Sequence, residues 1–196
     1  MSKTIQWAAL ISFLVIANAL ACGGGGGNGS PGTTTTDPGV TTTTIGPART
    51  EVNTAGLGNY GVVIDKQLTR SAQPTAQGFK NLKAAGVTAV LKLNMESESK
   101  SATEAQEFGG EIWNHPINYM AVDCADAQAL ADELENRILA GDWIHIHCTR
   151  GIDRTALIIG IWKIKYQGET YQSIQSDWKI YGDPSGQMKT CLQQVK

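Results

Sequence analysis

Residues 156 to 166, Ala-Leu-Ile-Ile-Gly-Ile-Trp-Lys-Ile-Lys-Tyr, are apolar on nearly every side of a helical projection. A helix of this kind cannot lie on a surface; other layers have to enclose it. Immediately upstream, Trp143 to His147 is a short β-rich run, so a strand feeds the buried helix through a brief loop. Earlier in the chain, strand-like and helix-like segments alternate. That alternation, with helices of this length, predicts an α/β fold with a mainly parallel sheet and helices on both faces. Ligands in such sheets bind at the carboxyl ends of the strands, which is where the loop after His147 must lie.

The other segments support the same architecture. Tyr60 to Arg70 alternates and reads as a hairpin turning at Asp65-Lys66. Gln73-Pro74-Thr75 caps a helix with Phe79, Leu82 and Ala85 on one face, and Gly86 stops it. Val87 to Leu93 predicts a central strand, and Ser101-Ala102-Thr103-Glu104 fits a capping box for a short helix ending at Gly109-Gly110. Glu111 to Ile117 reads as another strand. Asp126 then caps a helix that turns Leu130, Leu134, Ile138 and Leu139 to the core and ends at Gly141. Trp143, Trp162 and Trp178 read as core.

The loop is His147-Cys148-Thr149-Arg150-Gly151-Ile152-Asp153-Arg154-Thr155. Cys148 stands at the mouth of a helix amino terminus, where the dipole, converging N–H groups and Arg154 favour thiolate over thiol. Five intervening residues let the chain wrap a half-circle. Its N–H groups, from Thr149 through Ile152 and Asp153, then form an anion nest, with Gly151 supplying the backbone freedom. Arg154 lies opposite the sulfur, and its planar fork fits two oxygens of a phosphoryl group. Thr155 is placed to steady the sulfur as it leaves, and Arg150 can reach a second anionic group. Phosphate ester cleavage without a metal needs a nucleophile, a cradle for three oxygens and a proton for the leaving group, and the loop offers the first two.

Cys-x5-Arg-Thr after a strand ending in His resembles the signature of protein-tyrosine and dual-specificity phosphatases. Asn59-Tyr60-Gly61-Val62-Val63, Leu68-Thr69-Arg70-Ser71-Ala72-Gln73-Pro74-Thr75 and Val90-Leu91-Lys92-Leu93-Asn94 look like the hairpin, first helix and second strand of compact bacterial and fungal dual-specificity-like phosphatases. The likeness spans 58 to 182. It implies a phosphocysteine intermediate at Cys148, later hydrolysed, no metal or cofactor, and a phosphorylated protein or small phosphorylated molecule as substrate. It also implies that His147 hydrogen-bonds behind the loop. In the family the proton donor is an aspartate upstream of the nucleophile. Asp123 and Asp126, 25 and 22 residues before Cys148, both qualify. Asp153 is a third candidate, because Gly-Ile-Asp-Arg-Thr resembles phosphatases, several acting on phosphoinositides, in which this aspartate is the suspected acid. The rival reading from another class is a catalytically inactive phosphate-binding module. Two further alternatives are a rhodanese-like sulfur carrier and a metal site in which His145 and His147, on one strand face, join His115.

The composition changes sharply before the folded part. Residues 1 to 21 read as a signal peptide, with Lys3 ahead of an apolar run from Trp7 to Ala17. That run of eleven is far short of the about 20 residues a spanning helix needs. Ala19-Leu20-Ala21-Cys22 resembles a bacterial lipoprotein signal, which makes Cys22 the lipid anchor. Ala19-x-Ala21 serves an ordinary signal peptidase as well, so plain secretion stays open. Residues 23 to 50, rich in glycine and carrying two runs of four threonines, read as a flexible linker with a reach of about 30 Å. The catalytic-size domain is 51–196. A net charge of −2 provides no overall basic field for nucleic acid, and contact with a membrane is expected through the anchor alone. Cys124 and Cys191 remain. Export permits a bridge between them, and simple burial is the other bland reading; a less favoured one has Cys124 form a reversible disulfide with Cys148 that protects it from oxidation.

Replacing the anchor tests the localisation: Cys22→Ser moves the protein from the membrane fraction to the soluble fraction with unchanged specific activity. Wild-type protein already soluble outside the cell would overturn the lipid assignment.

Overall fold

Hydrophobic alternation along the strands splits the core into two layers with the sheet between them. A computed structural model describes residues 49–196. The signal stretch 1–21, Cys22 and the linker as far as residue 48 lie outside the described residues. β1 (Gly61–Ile64) and β2 (Leu68–Ala72) form an antiparallel hairpin that turns where Asp65 and Lys66 stand, with Lys66 at φ 52°. α1 (Ala76–Ala85) starts at Thr75, whose side chain accepts from the Gly78 N–H, and closes on left-handed Gly86. Then follow β3 (Ala89–Lys92), α2 (Ser101–Phe108), β4 (Glu111–Asn114), α3 (Cys124–Leu139), β5 (Ile144–Cys148), α4 (Asp153–Tyr166), α5 (Tyr171–Tyr181) and α6 (Gly186–Gln193). The sheet order is β1-β2-β5-β3-β4, and every pair except the hairpin is parallel.

β5, and not β3, holds the middle position. Its Ile144, Ile146 and Cys148 pack with residues of α3, α4 and α6, while Trp143, Val90, Phe79, Leu82 and Phe108 make the layer under α1 and α2. α4 is buried from Asp153 through Trp162, as an all-round apolar helix must be. Trp143 and Trp162 are in the core; Trp178 is half-buried against it. Among the described residues no helix is long and apolar enough to cross a membrane.

Several local expectations need correction. Asp123, not Asp126, caps α3, because its carboxylate accepts from the N–H groups of Ala125 and Asp126. Leu139 is 75% exposed: Leu130, Leu134 and Ile138 recur every fourth residue, and the next position swings about 100° off that stripe. Ser101 does not begin a capping box. It already belongs to the first turn of α2, its hydroxyl goes to Glu96, and Lys100 precedes the helix without a side-chain cap. β4 stops at Asn114, short of Pro116, which has no N–H to pair. α5 and α6 follow the last helix anticipated from sequence; α6 packs on α4 through Leu192 and Met188.

Cys124 and Cys191 form a disulfide across 67 residues, tying the start of α3 to α6. Cys148 is the free cysteine of the described residues, so the pairing of Cys124 with Cys148 is withdrawn. Closing a loop of this length stabilises the fold by about 4 kcal/mol in the chain-entropy account. Cys191→Ala therefore lowers the melting temperature markedly and frees Cys124 for alkylation. An unchanged melting curve, or Cys124 labelled in the unreduced wild type, would contradict the bridge.

Candidate active site

Strand alternation decides where each side chain of β5 points. His145 and His147 face the α1–α2 side, whereas Cys148 faces α4 at the carboxyl end of the central strand, paired in register with Ala72. The loop 149–152 then turns into α4, whose first residues are Asp153 and Arg154. Gly151 sits at φ 68°, and a Cβ on it would come within 2.6 Å of the Ser71 carbonyl, so glycine is needed both for the turn and for the close approach. Ile152 precedes α4 with its side chain against Gly182.

A cleft of about 170 Å³ opens here, lined by Glu98, Tyr119, Cys148, Thr149, Arg150, Asp153 and Arg154. Cys148 is 3% exposed at its base and Arg154 7%. Arg154 Nη1 donates to the Leu93 carbonyl at 3.2 Å, and Nη1 and Nη2 fork onto Glu98 at 2.6 and 2.8 Å. Glu98, in the connection between β3 and α2, also accepts from Thr149 Oγ1 at 2.7 Å and from the Met95 N–H at 2.8 Å. The Arg154 guanidinium, and behind it the Met95 and Thr149 donors, hold the Glu98 carboxyl down to about 2, while Glu98 raises Arg154 above its ordinary value. An ionised carboxylate thus stands in the cleft on the arginine that the loop presents. Thr155 is buried beside it, its hydroxyl without a hydrogen-bond partner among the described residues.

Of the three aspartates singled out from sequence, Asp153 lines the cleft. Its Oδ1 accepts from the Ser185 N–H and its Oδ2 from Arg150, each at 2.8 Å. Asp123 is occupied as the α3 cap, and Asp126 pairs with His115 at 2.9 Å; neither is part of the lining. His147 makes no well-aligned hydrogen bond among the described residues; the nearest partner is the Glu104 carboxylate beside Nε2, and not a group of the loop. Its ring faces away from Cys148, edge-on to Phe79, with Glu104 3.4 Å off, and burial pulls the ring below its ordinary value. His145 is pulled down further by burial, and its two nitrogens are taken by Thr69 and Ser71 at 2.9 and 2.8 Å. No group of three or more His, Cys, Asp or Glu side chains that could hold a metal occurs among the described residues.

Glu98 and Tyr119 went unnoticed in the sequence. Both lie in irregular connections, where no periodicity marks a residue. The position of Glu98, in the connection leaving the carboxyl end of a parallel strand, was the available signal.

No protein-family model and no curated protein matches this chain. Solved structures do. The chain is similar to P. aeruginosa TpbA, determined in complex with pTyr, at 24% identity over 71% of this chain and 84% of that one, with a TM-score of 0.56. It is similar to the core catalytic domain of the PP-IP phosphatase SIW14 from S. cerevisiae, in complex with citrate, at 18% identity over 71% and 87%, with a TM-score of 0.59. Tk-PTP in its active form matches at 19% identity over 68% and 92%, again with a TM-score of 0.59. The fold class is that of these structures: an α/β domain with a five-stranded, mostly parallel sheet flanked by helices, as in protein-tyrosine and dual-specificity phosphatases.

The Glu98 carboxylate predicts an electrostatic effect. Glu98→Gln removes a negative charge from beside Arg154 in the cleft, so if the cleft is an anion site tungstate binds severalfold more tightly at neutral pH in calorimetry. Weaker binding would show instead that Glu98 chiefly holds Arg154 in place.

Proposed function

We propose that this protein is a phosphatase that hydrolyses phosphate monoesters through a phosphocysteine on Cys148. The supporting observation is that Cys148 and Arg154 share one cleft at the carboxyl end of the central strand, joined by a tightly turned loop that enters a helix. The Cys148 thiolate attacks phosphorus, the bond to the ester oxygen breaks, and Asp153 protonates the departing alcohol. Water then attacks phosphorus, Asp153 takes its proton, and the S–P electron pair returns to sulfur as inorganic phosphate leaves. Asp153 takes the acid's role because it lines the cleft; its partner Arg150 is 64% exposed and free to turn toward the substrate.

The lining carries two cations, Arg150 and Arg154, against two carboxylates, Glu98 and Asp153. That balance leaves no surplus positive charge for a densely phosphorylated ring, and Tyr119 offers an aromatic wall. Both features favour a singly phosphorylated aromatic ester such as phosphotyrosine, the ligand of the TpbA complex, over an inositol pyrophosphate. The Cys124–Cys191 bridge supports action in an oxidising compartment, consistent with an exported protein tethered through Cys22.

Turnover of p-nitrophenyl phosphate tests the core of the proposal. Cys148→Ser abolishes it while tungstate still binds, and Arg154→Lys loses on the order of 10² or more, since an ammonium cannot fork across two oxygens. Wild-type rates in Cys148→Ser would refute the mechanism. For the acid, Asp153→Asn slows phenyl phosphate hydrolysis by on the order of 10² and the better leaving group far less. The same pattern in Asp123→Asn or Asp126→Asn, with Asp153→Asn unaffected, would move the role upstream.

A further inference from the structure

We propose that Arg70 is a positioning residue of the cleft, holding the Gly151 carbonyl outward so that the loop's N–H groups stay turned toward a bound phosphoryl group. The proposal rests on the phosphatase reading and adds a residue that does not itself line the cleft. Arg70 lies on β2, 1% exposed, and among the described residues it makes no salt bridge with any carboxylate. A buried guanidinium without an ionic partner is costly, so its contacts have to explain it. Two do. Nη2 donates to the Gly151 carbonyl, and the guanidinium lies 4.0 Å from the centre of the Tyr181 ring. Burial pulls Arg70 below its ordinary value, and the neighbouring Tyr181, Cys148 and Asp177 act in the opposite direction.

The surroundings are built to admit this arrangement. A Cβ at Gly61 would collide with the Tyr181 hydroxyl, so the glycine lets the ring lie over Arg70. Asn59, held at φ 54°, donates through Nδ2 to the carbonyls of Tyr181 at 2.8 Å and Arg150 at 3.2 Å and more distantly to that of Gly151 at 3.4 Å, while the Gln73 N–H donates to the Thr149 carbonyl at 3.3 Å. Three consecutive loop carbonyls, 149 to 151, are therefore drawn toward the hairpin and its exit. No peptide bond among the described residues is cis, so each N–H points opposite to the carbonyl of its own peptide unit. The N–H groups of Arg150, Gly151 and Ile152 consequently face away from the hairpin, and none makes a hydrogen bond among the described residues. Asn59 and the Gln73 amide are neutral donors. Arg70 is the charged one, and it acts on the peptide at which the loop meets β2.

Tungstate, a tetrahedral oxyanion that is not hydrolysed, separates this role from simple packing. In the full-length protein, Arg70→Met fills the same slot without charge or donor, and Arg70→Lys keeps both in a less extended form. Calorimetry is expected to give a tungstate Kd at least tenfold weaker for Arg70→Met and an intermediate value for Arg70→Lys. The KM for p-nitrophenyl phosphate rises in parallel. Should Arg70→Met fail to fold, Arg70→Lys decides by the same measurement. A tungstate Kd within twofold of wild type in either folded variant overturns the inference. Because tungstate affinity requires no turnover, a wild type that binds it without hydrolysing the ester would sink the phosphatase reading and leave the Arg70 comparison intact.

Discussion

The contact of Gly151 with the end of β2 is the constraint on which the rest of the site depends. A side chain there would strike the Ser71 backbone, and the φ of 68° would strain any residue carrying a Cβ. With glycine in place the loop folds down onto the hairpin. Its carbonyls are taken by Gln73, Asn59 and Arg70, and its amides are turned away from the hairpin. The loop's curvature is thus set from outside, by a hairpin that sits beside the central strand, as much as by the loop's own residues.

Rigid neighbours make that constraint effective. β5 is flanked by β2 and β3, and α4 is enclosed by α3, α5 and α6, so the strand before the loop and the helix after it have little freedom to shift. The disulfide between α3 and α6 further ties down the layer that covers α4. The cleft therefore joins a fixed base, Cys148 and Arg154, to a wall supplied by connections, Glu98 and Tyr119. Glu98 and Arg154 pair across the cleft. On the proposed phosphatase reading, an incoming dianion competes with that carboxylate for the guanidinium, so the wall tunes affinity while the base carries the chemistry.

Much of this was legible in the amino-acid order, for physical reasons that also explain what was not. Apolar periodicity located the strands and the buried helix, because burial imposes periods of about 2 and 3.6 residues. Thr75 and Gly86 marked the ends of α1, since caps have few chemical solutions. The Cys148 loop stood out because its parts must be adjacent in sequence to be adjacent in space. Asp123 and Asp126 illustrate the limit: both are good caps, and only the fold decides which carboxylate meets the helix amides. His147 illustrates another, since its neighbours come from α1 and α2, distant in the chain. Glu98, Tyr119 and Tyr181 meet the loop from separate connections and a late helix, and no local pattern announces such encounters.

Chemical quench during turnover of an aryl phosphate by the full-length protein, followed by peptide mass spectrometry, tests the central claim most directly. The account predicts one added phosphoryl group on the peptide containing Cys148, labile at sulfur and absent from the Cys148→Ser variant. Hydrolysis at full rate with no phosphoryl group ever found on that peptide, or with the group on another residue, would contradict it.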